Sequence, residues 1–160
     1  MRVPKIYLET TMFNYYFDEE RDAHDDTLRL FKDIQAGKYE AYTSVYVADE
    51  LEDTKDSAKR LNMLNLIKEY DITVLAATDE AQYIADIYIK DGVVPATKGY
   101  DALHIAVSTI SNLDYIFSFN FQHINRIKTK SMTSVINLRE GYKPIIIATP
   151  SEVIEYGENK

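Results

Sequence analysis

Short apolar runs alternate with stretches of helical period along the chain, and this alternation limits the possible folds more than any other feature. Residues 5–8, 39–43, 72–75, 115–118 and 144–149 read as strands, the last as a continuous apolar run suited to burial. Helical segments lie between them. Asp25 to Ala36 places Leu28, Leu30, Phe31 and Ile34 at helical spacing and is closed by Gly37. Ser44 caps a predicted helix through Leu51, and a longer one follows from Ser57 to Tyr70. Thr78 caps another, with Asp79 and Glu80 in the first turn where the helix dipole favours acids, and Gly92 ends it. A loop over residues 93–99 leads into an apolar helix opened by Asp101. Residues 120–130 read as too polar for the core, and Pro150-Ser151 begins a short terminal helix. Strands separated by helices imply an α/β sandwich with a mostly parallel central sheet. In such sheets functional groups gather outside the carboxyl ends of the strands, and Glu9, Ser44 and Asn120 each follow a predicted strand.

The chain of 160 residues suits one domain spanning 1–160, with no repeat or low-complexity boundary. It has no cysteine, which excludes disulfides and thiolate metal sites and fits a reducing compartment. No signal-peptide pattern or membrane-length apolar run is visible, so a cytoplasmic location is expected. The formal charge of −8 argues against a protein that coats nucleic acid passively, because phosphate neutralisation needs bases. It leaves room for an enzyme whose acids hold divalent cations. Between Phe117 and Lys143 the bases Arg126, Lys128, Lys130, Arg139 and Lys143 face the single acid Glu140, either as a phosphate-facing rim or as an ordinary solvated surface.

Asp101 stands at the start of a helix otherwise built for burial. There it either caps the helix or, if other oxygen donors reach the same sheet edge, ligates a metal. Four oxygen-bearing positions line up in this way: Glu9, Glu50, Asp101 and Asn120. Asp49 competes with Glu50, but adjacent helical residues point about 100° apart and Glu50 borders the apolar face of Val47 and Leu51. His104, one turn beyond Asp101 on the same face, reads as a buried and satisfied histidine. His24 falls in an acidic, solvated loop, and His123 either contacts phosphate or water or is held structurally. Tyr15, Tyr16, Tyr46 and Tyr100 are candidates for base stacking, set against the commoner use of tyrosine in packing.

Four segments carry a family resemblance: Ile6-Tyr7-Leu8-Glu9-Thr10-Thr11, Thr43 to Leu51, Asp101-Ala102-Leu103-His104-Ile105-Ala106, and Phe117 to Ile124. With the tail from Ile136 to Val153, they cover nearly the whole chain and resemble the PIN-domain ribonucleases, including the VapC-type toxins. The resemblance implies an α/β/α sandwich whose acidic pocket binds Mg²⁺ or Mn²⁺ and hydrolyses RNA. It implies Glu9, Glu50 and Asp101 as metal ligands, Asn120 as the fourth catalytic position, and Thr10, Thr11 and His123 as groups that position substrate or water. It also implies a homodimer and a small antitoxin that occludes the pocket. Two positions depart from the family pattern, which has an acid one methylene shorter at Glu9 and often an aspartate at Asn120. They motivate a rival reading, a catalytically degenerate PIN-like scaffold that binds RNA or a protein without cleaving. A nucleotide-binding domain is unsupported, since no glycine-rich loop follows any predicted strand.

Overall fold

Apolar runs this short make short strands, and each is followed within a few residues by a helix or turn. The computed structural model describes residues 2–154. The order is β1 (Lys5–Leu8), α1 (Thr10–Phe17), α2 (His24–Gln35), β2 (Glu40–Ser44), α3 (Val45–Glu52), α4 (Ser57–Glu69) and β3 (Thr73–Leu75). Then come α5 (Asp79–Lys90), α6 (Gly99–Ile110), β4 (Tyr115–Phe117), α7 (Ile127–Arg139), β5 (Ile146–Ala148) and a 3-10 turn at Pro150–Glu152.

The sheet runs β3-β2-β1-β4-β5, and every neighbouring pair is parallel. The chain steps outward from β1 to β2 and β3, then returns to build β4 and β5 on the other side of β1. Right-handed crossovers in opposite directions put their helices on opposite faces. On one face the rings of Phe13, Tyr16, Phe31 and Tyr70 join α1, α2 and the end of α4 edge to face. On the other, the Tyr88 hydroxyl donates to Asn137 Oδ1 at 2.5 Å and Asn137 Nδ2 donates to Thr109 at 3.1 Å, joining α5, α6 and α7. The result is a three-layer α/β/α sandwich around a sheet that is parallel throughout. Ile6, Tyr7 and Leu8 of β1 are fully buried at its centre. The strand order reverses between β1 and β4, and a crevice opens at the carboxyl ends of such a pair.

Local chemistry explains the element ends. Ser44 accepts the Tyr46 and Val47 amides as the cap of α3, and Thr78 accepts the Ala81 amide as the cap of α5. Gly37 and Gly92 take φ of +83° and +80° just past α2 and α5, a conformation that glycine adopts without strain.

Several expectations are corrected. Thr10–Phe17 and Ile127–Arg139 are helices that apolar periodicity does not reveal. In α7 the buried residues include Thr129, Thr133 and Asn137, while Ile127, Val135 and Leu138 are exposed, so the usual pattern is inverted. Residues 120–130 do enter the core: Ile124, Asn125 and Thr129 are buried, and Asn125 Nδ2 donates to the Ser118 carbonyl at 3.0 Å. Polar side chains serve there because they satisfy buried carbonyls. His24 begins α2, half-buried, with Nδ1 2.9 Å from the Tyr15 carbonyl oxygen. Within the basic stretch Arg139 pairs with Asp91 and Glu140, Lys143 pairs with Asp114, and Arg126 donates to the Gln122 carbonyl.

Asp114 ties together the amino edge of the sheet. It accepts the Lys5 amide at 2.8 Å, two bonds from the Arg2 guanidinium at 2.9 Å and one from Lys143 at 2.9 Å, linking the approaches to β1, β4 and β5. The Arg2 bond holds its carboxyl well below the usual range against the opposing effect of burial, and the Lys5 amide and Lys143 help. A depressed carboxyl stabilises the fold above its unfolded pKa, and that stability is lost as pH falls towards the folded value. Asp114→Asn is therefore expected to cost about 1–2 kcal/mol at neutral pH. The difference in Tm from wild type should hold down to about pH 4 and shrink below it; equal Tm at pH 7 would contradict the role.

Candidate active site

Glu9 follows β1 and caps α1 from an extended backbone. Its Oε1 accepts the Thr11 amide at 3.1 Å, the Thr11 hydroxyl at 2.6 Å and the Ser118 hydroxyl at 2.8 Å. The last bond crosses from the end of β1 to the end of β4, so this carboxylate spans the point where the strand order reverses. Glu9 is only 3% exposed. Burial pushes its carboxyl above the ordinary range, and the charge of His104 with the Thr11 and Ser118 bonds offsets only part of that.

Glu50 reaches the same place from α3. Its Oε1 accepts the Thr10 hydroxyl and the ring N–H of His104, whose Nε2 lies at 2.9 Å. Burial raises this carboxyl, but the bond and charge of His104 and the Thr10 bond outweigh it and leave Glu50 below its ordinary value. Its neighbour Asp49 is exposed and accepts the Tyr100 hydroxyl at 2.9 Å.

His104 is fully buried, with Nδ1 2.6 Å from the Tyr7 hydroxyl, which is itself 2.7 Å from the Ser44 hydroxyl. Burial pulls its pKa down, yet the Glu50 bond and the charges of Glu9, Glu50 and Asp101 raise it overall. Ligand-capable atoms of Glu9, Glu50 and His104 all lie within 4.8 Å of one another. Both ring nitrogens are already engaged, so ligation by His104 would break one of its bonds. The geometry suits an imidazole that orients Glu50.

Asp101 does not cap α6. The cap position belongs to Lys98, which makes no side-chain cap bond, and Asp101 sits in the first turn at 8% exposure. Burial lifts its carboxyl above the ordinary range; His104 and His123 lower it and Glu50 adds repulsion. Asn120 Nδ2 donates to Asp101 at 3.4 Å, while its Oδ1 accepts the His123 amide at 3.1 Å. Asn120, the expected fourth catalytic position, thus lines the cavity with its carbonyl oxygen bonded in a local turn. The Thr11 hydroxyl, expected to hold water or phosphate, donates to Glu9 and accepts the Phe119 amide at 2.8 Å. It braces Glu9, as Thr10 braces Glu50. His123 lines the cavity, with Nδ1 buried and unpartnered among the described residues.

Glu9, Glu50 and Asp101 share one open cavity of about 1020 Å³, together with Thr10, Asn120 and His123. Of the candidate stacking tyrosines, Tyr15 and Tyr100 also line it, whereas Tyr46 is buried and Tyr16 is bonded to Tyr70. Three carboxylates around one imidazole form a hard-oxygen donor set, and two of them are destabilised as anions. Such a set fits Mg²⁺ or Mn²⁺, whose charge would relieve the repulsion. Sequence reasoning missed His104 as the partner of Glu50; its placement one turn from Asp101 was the available signal. Replacing the imidazole leaves the burial of Glu50 and removes the opposing bond and charge. His104→Gln is therefore expected to move the Glu50 carboxyl from below to above its ordinary pKa in a ¹³C NMR titration, and an unchanged midpoint would contradict the pairing.

No family model matches the chain, and no curated protein matches it in sequence. Solved structures do share its fold. VapC20 from Mycobacterium tuberculosis, a sarcin–ricin-loop-cleaving toxin, superposes with a TM-score of 0.59 at 16% identity, over 74% of this chain and 92% of that one. VapBC2 from Rickettsia felis, in a complex with a DNA fragment from its promoter, gives 0.53 at 13% identity, over 76% and 93%. No helix among the described residues is long and apolar enough to cross a membrane. The chain has the VapC-type PIN-domain fold.

Proposed function

We propose that this protein is a metal-dependent endoribonuclease, the toxin of a toxin–antitoxin pair. The carrying observation is the convergence of Glu9, Glu50 and Asp101 from three separate elements on one cavity, in a fold shared with a toxin that cleaves the sarcin–ricin loop. These three carboxylates would hold Mg²⁺ or Mn²⁺. A bound divalent ion supplies charge to the phosphoryl oxygen and a more acidic water for in-line hydrolysis.

The remaining residues arrange that chemistry. His104 and Thr10 both bond Oε1 of Glu50, which fixes its carboxylate plane and keeps it ionised. Thr11 and Ser118 hold the Glu9 carboxylate in place across the two strand ends. Asn120 holds Asp101 through its amide nitrogen, and His123 faces the cavity as a contact for phosphate. The partners carried by this reading are RNA, a second copy of the chain and a small antitoxin.

The engagement of Glu9 and Asn120 in protein bonds supports the rival, a scaffold that binds without cleaving. Two measurements separate them. Purified protein with Mn²⁺ is expected to cleave single-stranded RNA, and Asp101→Asn to slow it on the order of 10²-fold. Calorimetry is expected to show Mn²⁺ binding that weakens about 10- to 100-fold in His104→Gln and disappears in Glu50→Ala. RNA left intact with Mg²⁺ and Mn²⁺, and no heat of binding, would favour the scaffold.

A further inference from the structure

The segment Phe119-Asn120-Phe121-Gln122-His123 alternates aromatic and polar residues, and only its polar members have been given a role so far. Asn120 and His123 face the acids, whereas the aromatic members build the next stretch of cavity wall. Phe119 is buried and stacks on Tyr15, with centroids 4.0 Å apart and planes 6° from parallel. Phe121 meets Phe119 at 6.4 Å and 63° but is itself 57% exposed. The Arg21 guanidinium lies 5.0 Å above the Tyr15 ring, and one of its nitrogens, Nε, bonds Asp18 at 2.9 Å.

A single exposed phenylalanine is unremarkable. This one stands at the edge of two adjoining cavities, of about 1020 and 470 Å³, that share Tyr15, Arg21, Phe119 and Phe121 as their common ridge. The ridge runs directly into the acidic centre, since Thr11, which braces Glu9, also accepts the Phe119 amide. Phe119 and Tyr15 are packed together beneath Phe121, and Arg21, paired with Asp18, sits beside them with Glu20 and Asp22 along the smaller cavity. An exposed ring with a neighbouring guanidinium matches an unpaired nucleotide, whose base has a free face and whose phosphate carries charge. A duplex offers no such face, because its bases are already stacked.

We propose that Phe121, supported by Phe119 and Tyr15, is a stacking platform for an unpaired base flanking the scissile phosphate, with Arg21 binding the adjoining phosphate. This deepens the ribonuclease reading and rests on it for the position of the scissile bond.

The test uses a mixed-sequence RNA decamer carrying one 2-aminopurine, free or annealed to its complement, in Ca²⁺ with strand integrity checked on a gel. Wild type is expected to bind the single strand more tightly than the duplex and to quench the 2-aminopurine. Phe121→Ala should weaken single-strand binding about tenfold with Tm unchanged, and Phe121→Tyr should restore both binding and quenching. Phe121→Leu should lose the quenching, and Arg21→Ala should reduce the salt dependence by about one charge. Equal single-strand binding by Phe121→Ala and wild type, quenching retained in Phe121→Leu, or no preference of wild type for the single strand, overturns the platform. Binding and quenching without any cleavage in Mn²⁺ would overturn the ribonuclease reading and leave the platform standing.

Discussion

Like charges held together in a half-dry cavity set the terms for everything at the carboxyl edge of this sheet. Glu50 repels Asp101 there, and burial makes each of the three carboxyls costlier to ionise. The described structure answers with one buried imidazole and a ring of hydroxyl and amide donors. His104 selects among the acids, because its direct bond goes to Glu50 alone. That bond separates the carboxyls by state: Glu50 stays below its ordinary pKa while Glu9 and Asp101 stand above theirs. A dication would complete the neutralisation that one imidazole begins.

The sheet makes this crowding possible. Since β1 lies between β2 and β4, its end is adjacent to both halves of the topology. Glu9 leaves β1, the helix carrying Glu50 starts directly after β2, and Asn120 follows β4. Asp101 arrives on α6 from the opposite layer and meets them over the top of the strands. Tyr7 extends the arrangement into the core: its hydroxyl lies between Ser44, which caps the helix of Glu50, and His104, which bonds Glu50 itself. Position and ionisation of Glu50 are thereby set by the same buried chain of groups.

The layer order and the five strands were legible because strand runs and helix caps are local signals. Ser44, Thr78, Gly37 and Gly92 each mark an end through chemistry that acts within a few residues. The first and last helices were hidden for opposite reasons. Helix α1 starts from a glutamate cap, where shorter side chains are the rule, and α7 turns threonines and an asparagine inward while exposing aliphatic residues. At the site, Glu9 was legible as an oxygen donor following a strand, Glu50 as an acid bordering the apolar face of its helix, and Asp101 as an acid opening an apolar helix. Their bonding was not. Whether Asn120 offers its oxygen or its nitrogen depends on the turn at His123, and whether Thr11 faces solvent or Glu9 depends on Phe119. The Glu50–His104 bond joins residues 54 apart in the chain, which no local pattern encodes.

Anomalous diffraction from crystals soaked in Mn²⁺ addresses the convergence of these acids most directly. A single strong peak in contact with the carboxylates of Glu9, Glu50 and Asp101 is the expected result, with His104 still bonded to Glu50. A cavity without a peak at millimolar Mn²⁺, or a peak bound elsewhere on the surface, would contradict it.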